Sequence, residues 1–125
     1  MASAASPVLL VIAAGTVSQE AIARTAELAA GSPVTVMGIG SGQGGAAEQL
    51  RRAVALAMSA MENTGVMALG HLTVTSHPAR AITRAARACG ARAVVLDHPG
   101  LASGGLAAEL RRRMYGSGIV VVCAP

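Results

Sequence analysis

Apolar residues fall along this chain in short runs rich in β-branched side chains. Between the runs, small apolar and polar residues recur every three or four positions. The first run, residues 8–13, reads VLLVIA and gives way to Ala14-Gly15-Thr16. A continuous apolar run that ends in a turn predicts a strand buried on both faces. Ser18 then suits the N-cap of a helix in SQEAIARTAELAA, with Glu20 near its positive end. Ala21, Ile22, Ala26 and Leu28 give that helix a side to lay on a sheet, and Gly31 is expected to stop it.

The alternation continues to the end of the chain. Residues 33–39, PVTVMGI, predict a second strand, and GSGQGG a flexible loop. In AAEQLRRAVALAMSAMENTG, the positions Leu50, Val54, Leu56, Ala57 and Met61 have helical spacing, and Gly65 follows them. Residues 66–75, VMALGHLTVT, predict a third strand. Pro78 suits the first turn of a third helix, PARAITRAARACG. A fourth strand is expected at 92–96, RAVVL, a fourth helix at LAAELRRRMY and a last strand in GIVVVCA.

Strands that alternate with helices imply one α/β domain over residues 1–125: a three-layer sandwich around a five-stranded, mainly parallel sheet, flavodoxin-like in broad form. Its crossovers should be right-handed. In such a sheet ligands bind outside the carboxyl ends of the strands, where the strand order reverses. The loops at 13–17, 40–45 and 97–105 are therefore where a site is expected.

Composition narrows the function. The chain has 125 residues, 53% of them hydrophobic and 13% charged, so it can bury a core and is not disordered. With one Tyr and no Phe or Trp, that core must be built from aliphatic side chains, Met and Ala. The formal charge is +4, and every Lys/Arg position is Arg, as a GC-rich genome tends to write. Without aromatics for base stacking or a dense basic stripe, no nucleic-acid partner is expected. No apolar run is long enough to span a membrane, so no membrane partner is expected either. The N-terminal segment MASAASPVLLVIAAG has no basic start, which makes a cytoplasmic location the expectation. Cys89 and Cys123 stand far apart in no metal or redox spacing, and are expected to be small buried hydrophobes.

The stretch TSHPARAITRAARACGARAVVLDHPG carries the most information. It resembles the third helix and fourth strand of the universal stress protein family: a small-residue start, an Ile-x-x-x-Ala helix, Gly-Ala, then an apolar strand ending near glycine. The order of elements and the length resemble that family across nearly the whole chain. The resemblance implies the universal stress protein arrangement, which is adenine nucleotide alpha hydrolase-like. It also implies a role in stress response.

Family members that bind ATP resemble one another in a loop of form G-x2-G-x9-G-[ST] after the fourth strand. Its glycines let backbone N–H groups reach phosphates. Here Gly100 stands for the first glycine and Ser103, beside Gly104, for the second; nine residues on come Arg113 and Met114, inside the helix. Aligned from the last strand backwards, Gly104-Gly105 opens the helix and the loop is about two helical turns short. The relatives also carry Asp in a V-D-G-S-like turn after the first strand, where this chain has Ala13-Ala14-Gly15-Thr16. Alanine accepts no hydrogen bond from an adenine amine. Both departures imply a non-catalytic module with no cofactor, acting through an unknown protein partner. A reduced site for ATP, AMP or a cyclic nucleotide at Gly15, Gly100, Ser103, Gly104 and Gly105 is the alternative.

Other candidates weigh less. Asp97 and His98 sit at the end of the fourth strand and could serve a small enzyme, but adjacent strand residues point to opposite sides. His71, His77 and His98 have no zinc-ligand spacing. Arg80, Arg84 and Arg87 share one face of the third helix, and Arg111, Arg112 and Arg113 cluster near the end of the fourth. Both groups read as solvated faces, with an acidic partner or polyanion as the functional alternative. The last strand, Ile119-Val120-Val121-Val122, would be an exposed edge. Family members commonly pair it antiparallel with a second copy, which implies an isologous homodimer.

Overall fold

The structure, a computed structural model, describes residues 7–13, 17–40, 46–97 and 105–123. Nine elements alternate along them: β1 (Val8–Ile12), α1 (Gln19–Ala29), β2 (Val34–Gly40), α2 (Ala46–Asn63), β3 (Ala68–Val74), α3 (Pro78–Ala88), β4 (Ala93–Leu96), α4 (Leu106–Arg113) and β5 (Val120–Cys123). The strands form one sheet in the order β3-β2-β1-β4-β5. All four pairings are parallel, with Val8 beside both Val34 and Ala93. This is the expected α/β sandwich.

The central strand dictates two cores. All five residues of β1 are buried, and alternation sends them to opposite faces. Val8, Leu10 and Ile12 join Leu50, Val54 and Met61 beneath α1 and α2. Leu9 and Val11 join Met37, Ile82 and Leu110 beneath α3 and α4. With no large aromatics, the layers approach closely. A Cβ on Gly38 would lie 2.6 Å from Leu72 Cδ2 and 2.9 Å from Val54 Cγ2, and one on Gly70 would strike Met58 and Val54. Glycine at these two strand positions lets α2 settle onto β2 and β3.

Ser18 caps α1 as expected, its Oγ accepting from the Ala21 N–H at 3.0 Å. Several expectations need correction. The left-handed turn that ends α1 begins at Ala30 (φ 50°), one residue before Gly31. Leu56 is 63% exposed, because it lies off the stripe formed by Leu50, Ala53, Val54, Ala57 and Met61. β3 starts at Ala68: the Val66 N–H is used by the Met61 carbonyl in the turn that closes α2. β5 runs Val120–Cys123, with Ile119 just ahead of it. Both cysteines are half-buried at the margin of the second core.

Candidate functional site

The strand order reverses between β1 and β4, which both lie at the centre of the sheet and are followed by helices on opposite faces. A crevice is expected there. Asp97 stands at its β4 side. Its N–H donates to the Val11 carbonyl at 3.2 Å, which extends the β1–β4 ladder by one rung. The residue is only 5% exposed, and it is the one buried acidic side chain among the described residues.

Burying a carboxylate is costly unless it is hydrogen-bonded. Here Oδ1 accepts from the Ser18 Oγ–H at 2.7 Å and from the Ser18 N–H at 3.2 Å. Ser18 Oγ in turn accepts the Ala21 N–H. The three groups form a relay from the end of β4 through Ser18 into the first turn of α1, with the negative charge at the positive end of the helix. Chemically, this Asp97 oxygen is committed to a structural link. Ser18 and Asp97 were each visible in the sequence, one as a cap and one as a strand-end acid. Their pairing was not, because it spans 79 positions. The signal was topological: both residues flank the point where β1 and β4 part.

Of the predicted nucleotide-site residues, Gly105 is described. It is left-handed at φ 85°, precedes α4, and accepts the Glu109 N–H. It borders a cavity of about 300 Å³ with Ser76, His77, Arg80, Glu109 and Arg113. Gly15, Gly100, Ser103 and Gly104 lie outside the described residues, as does His98. His71 is exposed on β3, and His77 is the N-cap residue of α3. No group of His, Cys, Asp and Glu among the described residues is placed to hold a metal. No described helix is long and apolar enough to cross a membrane.

The arginine clusters are more organised than solvated faces require. Arg111 Nη2 donates to the Val121 carbonyl at 3.2 Å. The Val120 N–H faces inward to the Arg92 carbonyl, so backbone alternation turns the Val121 groups outward. Arg111 thus caps part of the free edge of β5. The edge also presents Val120, which is 58% exposed.

No protein-family model matches the sequence, and no curated protein matches it significantly. Solved structures do match the fold. A universal stress protein from Archaeoglobus fulgidus superposes with a TM-score of 0.75 at 21% identity, over 96% of this chain and 93% of that one. The structure of the A. fulgidus universal stress protein in complex with dAMP gives 0.71 at 22% identity, over 96% and 98%. A universal stress protein family member from Burkholderia pseudomallei gives 0.71 at 23% identity, over 96% of both chains. The chain has the universal stress protein fold. That agrees with the resemblance read from residues 75–100.

Proposed function

We propose that this chain is a non-catalytic module of the universal stress protein type, acting as a homodimer through contacts with other proteins. The observation that supports the reading is the role of Asp97: Oδ1 of this buried carboxylate, at the end of β4, accepts both Ser18 donors and so anchors the α1 cap. A general acid or base must present its proton site to a substrate. Ala14, which stands where nucleotide-binding relatives carry Asp, has no side-chain acceptor to offer.

The dimer would form through residues 119–122, with the β5 edges of two copies antiparallel. Exposed Val120 supports this, because an apolar edge strand gains by being covered. Pairing requires Arg111 to release the Val121 carbonyl. Size-exclusion chromatography with light scattering tests it. Twice the chain mass at micromolar concentration is expected, and the single-chain mass would refute it.

A second reading has one observation in its favour: a structure sharing this fold is a complex with dAMP. In that reading the chain senses a nucleotide at a reduced site built from Gly15, Gly100, Ser103, Gly104 and Gly105. A ligand with one phosphate needs less of a glycine cradle than ATP. Calorimetric titration with dAMP and AMP separates the two readings.

A further inference from the structure

Charge on this molecule is sorted by layer. α3 carries three arginines and no acid, and α4 carries three arginines and Glu109, a net of +5 for that layer. α1 and α2 together carry three arginines and four glutamates, a net of −1. The formal charge of the whole chain is only +4, so the excess lies on one face.

Between α3 and α4 runs a groove of about 370 Å³, lined by Arg80, Thr83, Arg84, Arg87 and Arg113. Arg113 is paired with Glu109 at 2.9 Å. Every acidic residue of the chain is among the described residues, and none forms an ion pair with Arg80, Arg84 or Arg87. Arg87 Nη2 donates to the Arg113 carbonyl at 3.4 Å, which ties the two helices together and holds one guanidinium at the groove. Along α3 the three arginines, none with an acidic partner, cover about 10 Å at 1.5 Å per residue. Like charges at such spacings repel and destabilise the helix. A multivalent anion in the groove would relieve that repulsion.

We propose that this groove binds a small oligophosphate. The planar fork of a guanidinium matches phosphate oxygens two at a time. A short phosphate chain brings several charges into the ~10 Å that the arginines span. The volume lies at the lower end of the ~300–1,000 Å³ typical of small-ligand sites, which favours a small anion over a protein segment. No aromatic side chain lines the groove, so nothing there would stack on a base. Recognition is of the phosphates alone, on a face of the sheet away from the Asp97–Ser18 link.

The test is calorimetric titration of the full chain with inorganic tripolyphosphate at low and physiological salt, beside orthophosphate and a poly-glutamate peptide. One tripolyphosphate per chain is expected, bound at least tenfold more tightly than orthophosphate and weakened by salt. R84A/R87A should lose at least tenfold in affinity, and R51A/R52A, on the opposite layer, should bind as the parent does. R80Q/R84Q leaves the Arg87–Arg113 bridge intact and should lose at least tenfold as well, whether or not R84A/R87A folds. The proposal is overturned by absence of tripolyphosphate binding at millimolar concentration. Undiminished binding in R80Q/R84Q, equal affinity for orthophosphate, or binding of the peptide alone would also overturn it.

Discussion

Asp97 accepts both the hydroxyl and the backbone N–H of Ser18, at 2.7 and 3.2 Å, and so fastens the end of β4 to the start of α1. The link crosses the point where the strand order reverses, the place where sheets of this kind hold ligands. There, one oxygen of the carboxylate holds a helix start in place.

Removing that carboxylate should be costly. Asp97→Ala leaves the Ser18 donors unpaired in a half-buried setting and should destabilise by about 1.5–3 kcal/mol, the range for hydrogen bonds to charged groups. Asp97→Asn keeps an acceptor and should lose less. Urea unfolding followed by circular dichroism measures both. Equal stability of Asp97→Ala and the parent would show that the link contributes nothing.

Ser18 serves two bonds, so its loss should not add independently. Ser18→Ala removes the α1 cap and the Asp97 partner together, and about 1–2 kcal/mol is expected from the cap alone. In a double-mutant cycle with Asp97→Ala, a coupling of about 0.5–3 kcal/mol is expected. Additivity within error would place the two residues in separate roles.

Gly38 and Gly70 set the distance of α2 from the sheet. Gly38→Ala forces a methyl against Leu72 and Val54 and should cost about 1–3 kcal/mol by overpacking. Gly31→Ala makes a useful contrast. It has open space around it but sits at φ 92°, so any cost there is backbone strain and should leave the packing of α2 unchanged. Near-ultraviolet spectra are uninformative with one exposed Tyr, so methyl resonances of Val54 and Leu72 are the better readout.

Leu56 and Leu50 lie on the same helix with opposite fates. Leu56→Glu should change stability by no more than about 0.5 kcal/mol, as surface positions do. Leu50→Ala should cost about 2–5 kcal/mol, because it opens a cavity in the first core. Thermal unfolding of the two variants side by side decides this.

Val120→Asp should dissociate the homodimer proposed through β5. A charge at an exposed edge position blocks strand pairing, while the β4 ladder, made by the inward-facing Val120 backbone, is left intact. Light scattering should then give the single-chain mass with the parent's circular dichroism spectrum. A dimer that survives the change would move the interface elsewhere.

The sheet was legible because its signal is local. Five apolar runs, the cap at Ser18 and the helix-opening Pro78 placed the nine elements of the described residues to within about two residues, the usual uncertainty of element ends. Leu56 was misread because, in a helix this rich in alanine, a lone leucine off the stripe looks like part of it. What the sequence could not display were contacts between distant elements. The Asp97–Ser18 bond, the Arg111 cap on Val121 and the arginine groove each join residues brought together only by the order β3-β2-β1-β4-β5 and the sorting of helices onto two faces. The arginines were read as two solvated helix faces. Only the packing of α3 beside α4 turns them into the wall of one groove.

The most direct test of the central claim is a thermal-shift and calorimetric screen against AMP, dAMP, ATP and adenosine. Orthophosphate and tripolyphosphate serve as controls, and parent and R84A/R87A chains are run in parallel so that binding through phosphate alone is recognised. A ligand at 100 times its Kd adds about 2.7 kcal/mol of stability, a shift of several degrees in a domain of this size. The non-catalytic, nucleotide-free module predicts no shift with adenosine, AMP or dAMP at millimolar concentration, and no ATP effect beyond that of tripolyphosphate. A shift with AMP or dAMP that orthophosphate does not reproduce, and that persists in R84A/R87A, would contradict it and make the crevice beside Asp97 a nucleotide site.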